Sequence, residues 1–311
     1  MTKKLISLLL VLVLALSLVA CSKDEEKPAE TATETKTEEK TEEKTEEKAP
    51  EASNEPITVI SREDGSGTRG AFIEITGIEE KDGDTKVDRT TVDAVVQKST
   101  NAVLMTVNGD KNAIGYISLG SLNDSVKAAK VEGVEASSDN VLDGSYKIAR
   151  PFNIVYKGEA DGLKKDFIDF MMSKEGQEMV LENKYVQVDT AAAEYKQNSQ
   201  SGKLVVGGST SVTPLMEKFA EKYMEMYPDV KIEIQSTGSS AGIQAAIEGA
   251  ADLGMASRDL SDEEKAELTN VVIAKDGIAV IVNNDNAIDD LSLDQIKAIF
   301  VGETKTWGDI K

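Results

Sequence analysis

Three times in this chain an apolar run gives way to a loop of glycine, serine and threonine, and the loop gives way to a helix-spaced apolar pattern. The first junction runs from Ile57–Ile60 into "SREDGSGTRGAF" (61–72), with Ala71, Phe72 and Ile75 on one helical face. The second is "LVVGGSTSVTPLMEKFAEKY" (204–223), where Pro214 stands just inside the helix start, and the third is "IEIQSTGSSAGIQAAIEG" (232–249). Helix N-termini leave backbone N–H groups without partners and carry a partial positive charge. Glycine lets the backbone come close to a ligand, and serine or threonine adds a hydroxyl donor. Three such starts, with Arg62 as a two-pronged donor, can surround a small tetrahedral oxyanion. No loop carries the lysine of a GxxxxGK[ST] phosphate loop, which disfavours nucleotides.

Around these junctions, short strands alternate with amphipathic helices, the pattern of an α/β fold. Strands are predicted over 57–61, 114–118, 152–157, 204–207, 231–235, 252–256 and 277–283, and helices over 67–76, 160–183, 214–226, 240–248, 261–267 and 292–300. Met216, Phe219, Ala220 and Tyr223 recur at helical spacing, as do Ile243, Ala246, Ile247 and Ala250, and mark core faces. Trp307, Phe167 and Phe170 are expected to pack rather than to touch a ligand.

Composition narrows the chemistry. Among 311 residues there is no histidine, which removes Ser-His-Asp and Cys-His nucleophile systems and histidine-bearing zinc sites. Neither a catalytic residue nor a metal site nor a cofactor is predicted. The acidic run Asp82-Gly83-Asp84 with Asp88 lacks the spacing of a calcium loop. Of the total charge of −21, residues 1–20 carry +2 and residues 22–55 carry −7, so the body 56–311 holds −16. That charge argues against nucleic acid or an anionic membrane surface as partner. It also means that an anion site must work through short-range, dehydrated hydrogen bonds rather than a basic field.

The single cysteine, Cys21, follows an apolar run from Leu5 to Ala20 behind Lys3 and Lys4. The run is short for a membrane span and right for a signal sequence. Its end, Leu18-Val19-Ala20-Cys21, resembles the lipobox of bacterial lipoproteins, which implies a signal peptide over 1–20, lipidation of Cys21 and an extracytoplasmic body held at the membrane. A plain membrane anchor with an incidental cysteine is the alternative. Residues 21–55, with "TEEKTEEKTEEK", contain almost nothing to bury and are expected to be a disordered tether.

The segments "GGSTSVTPLMEKFAEKY", "STGSSAGIQAAIEGAADLGMASRDL", "DGIAVIVN", "LSLDQIKAIFVGETKTWGDI", "ISREDGSGTRGAF", "NAIGYISLGSL", "ARPFNIVYKG" and "FIDFMMSKEGQEMV" resemble the substrate-binding lipoprotein of bacterial phosphate ABC importers. The resemblance covers nearly all of 56–311. It implies the two-lobed periplasmic-binding-protein fold (type II-like), inorganic phosphate as ligand, membrane permease subunits as partners, and a monomer. By motif it implies ligand roles for Thr210, Ser211 and the Val212 N–H in GGSTSV, and for Ser239 in TGSSAG. In REDGSGTR it implies Arg62, Ser66, Gly67 and Thr68, with Asp64 orienting Arg62 by an ion pair.

Two departures stand out. In the family GGSTSV comes first, whereas here DGSGTR does, the order of a circular permutation; a gene-model artefact is the alternative. Permutation places Pro56 near Lys311 and predicts one lobe continuous over 119–282 and the other assembled from 56–118 plus 283–311. Where family members carry an aspartate that accepts the proton of bound phosphate, this chain has Ser257 and Arg258. Ser257 remains a candidate donor and Arg258 adds positive charge, while Asp64, Glu63 or a backbone carbonyl stands as candidate acceptor. Sulfate, molybdate or another oxyanion is the alternative ligand, a surface phosphatase the less favoured alternative activity, and an adhesin or signalling role an open addition.

Overall fold

The structure, a computed structural model, describes residues 54–83 and 85–310. The expected signal peptide, Cys21, the tether as far as residue 53, Asp84 and Lys311 lie outside the described residues. From the N-terminal end, β1 (Thr58–Arg62) leads through the first loop into α1 (Gly67–Ile75), followed by β2 (Glu79–Asp82), β3 (Thr85–Asp88) and β4 (Val95–Gln97). Next come α2 (Thr100–Gly109), β5 (Ala113–Ser118), β6 (Lys127–Ala128), β7 (Lys130–Val131), α3 (Ser138–Leu142) and β8 (Ala149–Tyr156). The helices α4 (Gly162–Met172) and α5 (Lys174–Glu182) precede β9 (Gly202–Gly208), α6 (Thr213–Met226), β10 (Val230–Ser236) and α7 (Ser239–Glu248). Last are β11 (Leu253–Ala256), α8 (Asp262–Glu267), β12 (Thr269–Val282), β13 (Asp290–Leu291) and α9 (Leu293–Phe300).

All three junctions form as strand, loop and helix. Their strands lie in a mixed sheet of order β10-β9-β11-β8-β12-β5-β1-β4, and β12 joins its two parts. From Thr269 to Gly277 β12 pairs antiparallel with β8, and from Ile278 to Val282 it pairs antiparallel with β5. One core, with Phe152, Phe167, Phe170, Phe219 and Tyr223, lies on the β8–β11 side; the other, with Val59, Phe72, Tyr116, Phe300 and Trp307, lies on the β5–β1 side. The two lobes meet along β12.

Several expectations shift. Leu119, Ala129, Val131, Val141, Tyr146 and Ile148 pack into the core of Phe72 and Trp307, so residues 119–148 lie with the second lobe rather than the first. The cause is β12, whose far half pairs with both β5 and β6 and carries Ile278, Val280 and Val282 into that core. The predicted helix over 160–183 breaks at Ser173, whose backbone is extended (ψ 170°). The Ser173 hydroxyl accepts from Gly176 N at 3.2 Å and so caps α5. A Cβ at Gly176 would stand 2.2 Å from the Phe170 carbonyl, so only glycine lets the chain turn there. Ala250, expected on the α7 core face, lies beyond the helix end and is exposed. At the start of the body, Pro56 pairs antiparallel with Thr306, and Ile57 N donates to Lys305 O at 2.8 Å.

Candidate functional site

The three junction loops converge where the lobes meet. On the second lobe, Gly65 turns the chain with φ +82°, a conformation that favours glycine, and Ser66 caps α1 by accepting from Arg69 N at 3.3 Å. Gly67 and Thr68 then open the helix, both buried. On the first lobe the Ser209 hydroxyl organises the loop: it accepts from Ser211 N at 3.2 Å and donates to Ser257 Oγ at 2.9 Å. Ser239, fully buried at the start of α7, accepts from Ser257 N at 3.1 Å.

The lobes touch through these residues. Thr68 Oγ1 and Ser211 Oγ are 2.8 Å apart, and Ser240 N donates to Gly65 O at 3.1 Å. A Cβ built on Gly67 would lie 2.4 Å from Ser239 Oγ and 2.7 Å from Ser257 Oγ. Glycine is therefore what lets the α1 N-terminus come against both serines.

Arg62 sits inside this contact, 1 % exposed. Its Nε and Nη2 form a fork on the Glu63 carboxylate, 2.8 Å each, and Nη2 also donates to Thr210 Oγ1 at 3.0 Å. Nη1 is buried with no hydrogen-bond partner. The guanidinium is planar, so with the Nε–Nη2 edge on Glu63, the outward proton of Nη1 runs parallel to the Nη2–Thr210 bond. Nη1 therefore points into the space beside Thr210, among the hydroxyls of the cleft. A buried cationic donor left without a partner is costly, and an anion is what would satisfy it.

Of the eleven residues expected here, the structure brings Arg62, Ser66, Gly67, Thr68, Thr210, Ser211, Ser239 and Ser257 together. Val212 is present, but its N–H is directed at Ser209, at 3.2 Å from the carbonyl and 3.4 Å from the hydroxyl. Asp64 does not orient Arg62: its side chain is 98 % exposed and pairs with Arg69, while the neighbouring Glu63 holds Arg62. The turn at Gly65 throws Asp64 outward. Arg258 adds little charge to the site, because Nη1 and Nη2 form a fork on Glu264 at 2.7 and 2.8 Å.

Two residues of the site fall outside the sequence reading. Thr100, first residue of α2 and 3 % exposed, lies 3.3 Å from both Thr210 Oγ1 and Ser211 Oγ. The Ser99-Thr100 pair ahead of an apolar helical pattern was the available signal. Arg150, on β8, donates through Nη1 to the Ser257 carbonyl at 3.1 Å and through Nε and Nη2 to Asp276 at 3.3 and 3.0 Å. Asp276 also accepts from Ser118 at 2.9 Å, so it ties β12 to the second lobe. Burial pushes the Asp276 carboxyl up to about 6 and lowers Arg150, the latter further aided by the charge of Arg62 nearby.

The PBP superfamily domain matches residues 35–175 and 193–310. The phosphate-binding protein PstS 2 of Streptococcus pneumoniae is 50 % identical over 255 residues, 82 % of this chain and 88 % of that protein. A crystal structure of a phosphate-binding protein of a phosphate ABC transporter from S. pneumoniae superposes with TM-score 0.68 at 55 % identity, covering 83 % of this chain and all of that one. The phosphate-binding protein PstS of Bacillus subtilis is 36 % identical over 131 residues, 41 % of this chain and 40 % of its own. On this likeness the chain belongs to the PBP superfamily and, within it, to the PstS-like proteins.

Proposed function

We propose that the protein captures inorganic phosphate in the cleft between its lobes and delivers it to the permease of an ABC importer. The observation that carries this reading is the unpartnered Nη1 of Arg62, buried on a guanidinium that reaches Thr210, a hydroxyl in turn met by Thr100 of the other lobe. The names of the relatives, phosphate-binding proteins of phosphate transporters, supply the ion.

Arg62 gives one charge-assisted hydrogen bond from Nη1, while its charge is balanced by Glu63 at its back. Ser66, Thr68, Thr210, Ser211, Ser239 and Ser257 add hydroxyl donors and Gly67 adds the N–H of the α1 start, while the Val212 N–H stays on Ser209. With the body at −16, attraction over long range is absent, and affinity comes from preorganised contacts in a dry cleft. Closure brings the second lobe against the first about the crossings near residues 148–150 and 276–278. No bond is made or broken, and the relatives are named as transporter components rather than enzymes.

The body works on the extracytoplasmic side, as a monomer held by a lipid on Cys21. The segment order is a circular permutation relative to family members such as the B. subtilis protein, and it is shared with the S. pneumoniae relative, which aligns over 82 % of this chain. Two observations support that: Pro56 pairs with Thr306, so the start of the body lies against a segment close to its far end, and the B. subtilis match spans well under half of each chain, as when a cut lets only one side align.

Titration calorimetry of the body with phosphate, sulfate and molybdate at two salt concentrations tests the reading. One phosphate per chain, tighter than either other anion and little changed by salt, is expected. Absence of phosphate binding, or hydrolysis of a generic phosphoester, overturns it.

A further inference from the structure

One hydroxyl of the second lobe faces the cleft from outside the three junctions. Thr100 opens the ten-residue helix α2, and its Oγ1 lies 3.3 Å from Thr210 Oγ1 and from Ser211 Oγ. The helix does not need this side chain for its own start, because Ser99 supplies the cap, accepting from Ala102 N at 3.1 Å. The segment is fixed against Arg62 as well: Gln97 O accepts from Glu63 N at 3.1 Å and from Arg62 Nε at 3.3 Å. Thr100 thereby contacts the same Thr210 hydroxyl that Arg62 reaches through Nη2, and the buried, unpartnered Nη1 of that arginine is the independent sign that an anion belongs here.

We propose that Thr100 is a phosphate ligand, and that its hydroxyl and the N-terminal end of α2 form a fourth wall of the site. This rests on the phosphate reading and adds a residue to it. The proton inventory favours it. Arg62 Nη2 already donates to Thr210 Oγ1, so the Thr210 proton points elsewhere. Thr68, Thr100, Thr210 and Ser211 have one hydroxyl proton each, and three close oxygen–oxygen contacts among them. An oxyanion in their midst accepts from all four at once, which no arrangement of the hydroxyls alone achieves. The positive end of α2 adds to the attraction.

The test is phosphate titration of the parent, Thr100→Val, which keeps the shape and removes the hydroxyl, and Thr100→Ser, which keeps the hydroxyl. Thr100→Val is expected to weaken phosphate binding about tenfold, the size of one lost hydrogen bond to a charged group. Thr100→Ser should stay within about threefold, and the melting temperatures measured without phosphate should agree within about 2 °C. If valine crowds the turn and lowers the melting temperature, Thr100→Ala carries the same expected loss. A parent-like Thr100→Val, or a Thr100→Ser as weak as Thr100→Val, overturns the proposal while leaving the phosphate reading intact. A parent that takes up no phosphate overturns both.

Discussion

Two arginine–carboxylate pairs lie buried at the meeting of the lobes, and they are built for different ends. Arg62 and Arg150 have side chains 2 % and 1 % exposed, and each sits on an acid. Arg62 leans on Glu63, a partner 21 % exposed and reached by water, and keeps Nη1 unpartnered. Arg150 leans on Asp276, which is fully buried, and commits its remaining Nη1 to the Ser257 carbonyl. Asp276 in turn takes the Ser118 hydroxyl of the other lobe. Taking a charge out of water is costly, and only complete pairing offsets it. The complete pair is a strut across β12; the incomplete one is, on the proposed reading, a seat for an anion.

Removing each guanidinium should therefore break different properties. Arg62→Ala is expected to lower phosphate affinity a hundredfold or more, on the scale of losing one partner of a buried charged contact. Its effect on melting should be small, since Glu63 can be hydrated. Arg150→Met leaves Asp276 buried beside no cation and should cost about 3 kcal/mol of stability, seen as a lower melting temperature. Its phosphate affinity should fall far less than that of Arg62→Ala. Two variants with matching losses of affinity and matching melting curves would erase the distinction between seat and strut.

Gly67 sharpens the comparison by testing how stiff the strut side is. A Cβ there meets Ser239 Oγ and Ser257 Oγ, and Ser257 is held from behind by Arg150. If that backing is rigid, Gly67→Ala props the cleft open. Phosphate affinity should then fall about tenfold or more, because a packed interior concedes little to an added carbon. The melting temperature without phosphate should change little. Near-parent binding of Gly67→Ala would mean that Ser257 yields and that Arg150 does not fix it.

The half of this site that the sequence makes legible is the half built from contiguous stretches. A strand, a Gly/Ser/Thr loop and a helix start within twenty residues of one another, and local chemistry announces them: Ser66 as a cap, Gly65 for a left-handed turn, Pro214 inside α6. Arg62 was legible for the same reason. What escaped depends on distant partners. Thr100 meets residues 110 and 111 positions away, and Arg150 meets Asp276 across 126. The charged pair Lys275-Asp276 also hid the first half of β12, since a buried aspartate inside a strand makes sense only with its arginine in view. Glu63 and Asp64 show the finest limit: two acids side by side, told apart only by the direction of the turn at Gly65.

The smallest expected effect concerns the charge of the strut. Burial outweighs the attraction of Arg150 and raises Asp276 to about 6 in the folded chain, above its ordinary value of 3.8. A carboxyl raised in the folded state contributes stability that is full below the unfolded value and lost as pH rises through the folded one. Between pH 4 and 7 the parent should thus lose stability relative to Asp276→Asn, which has no proton to release. The difference in melting temperature, parent minus variant, should be more positive at pH 4 than at pH 7, by a few degrees. The opposite trend would mean that Arg150 holds the carboxylate ionised by attraction, so that the strut stabilises through its charge. The direction expected here has the pair fix geometry, aiming Ser257 at the cleft and tying Ser118 to β12, at some cost in stability above pH 6.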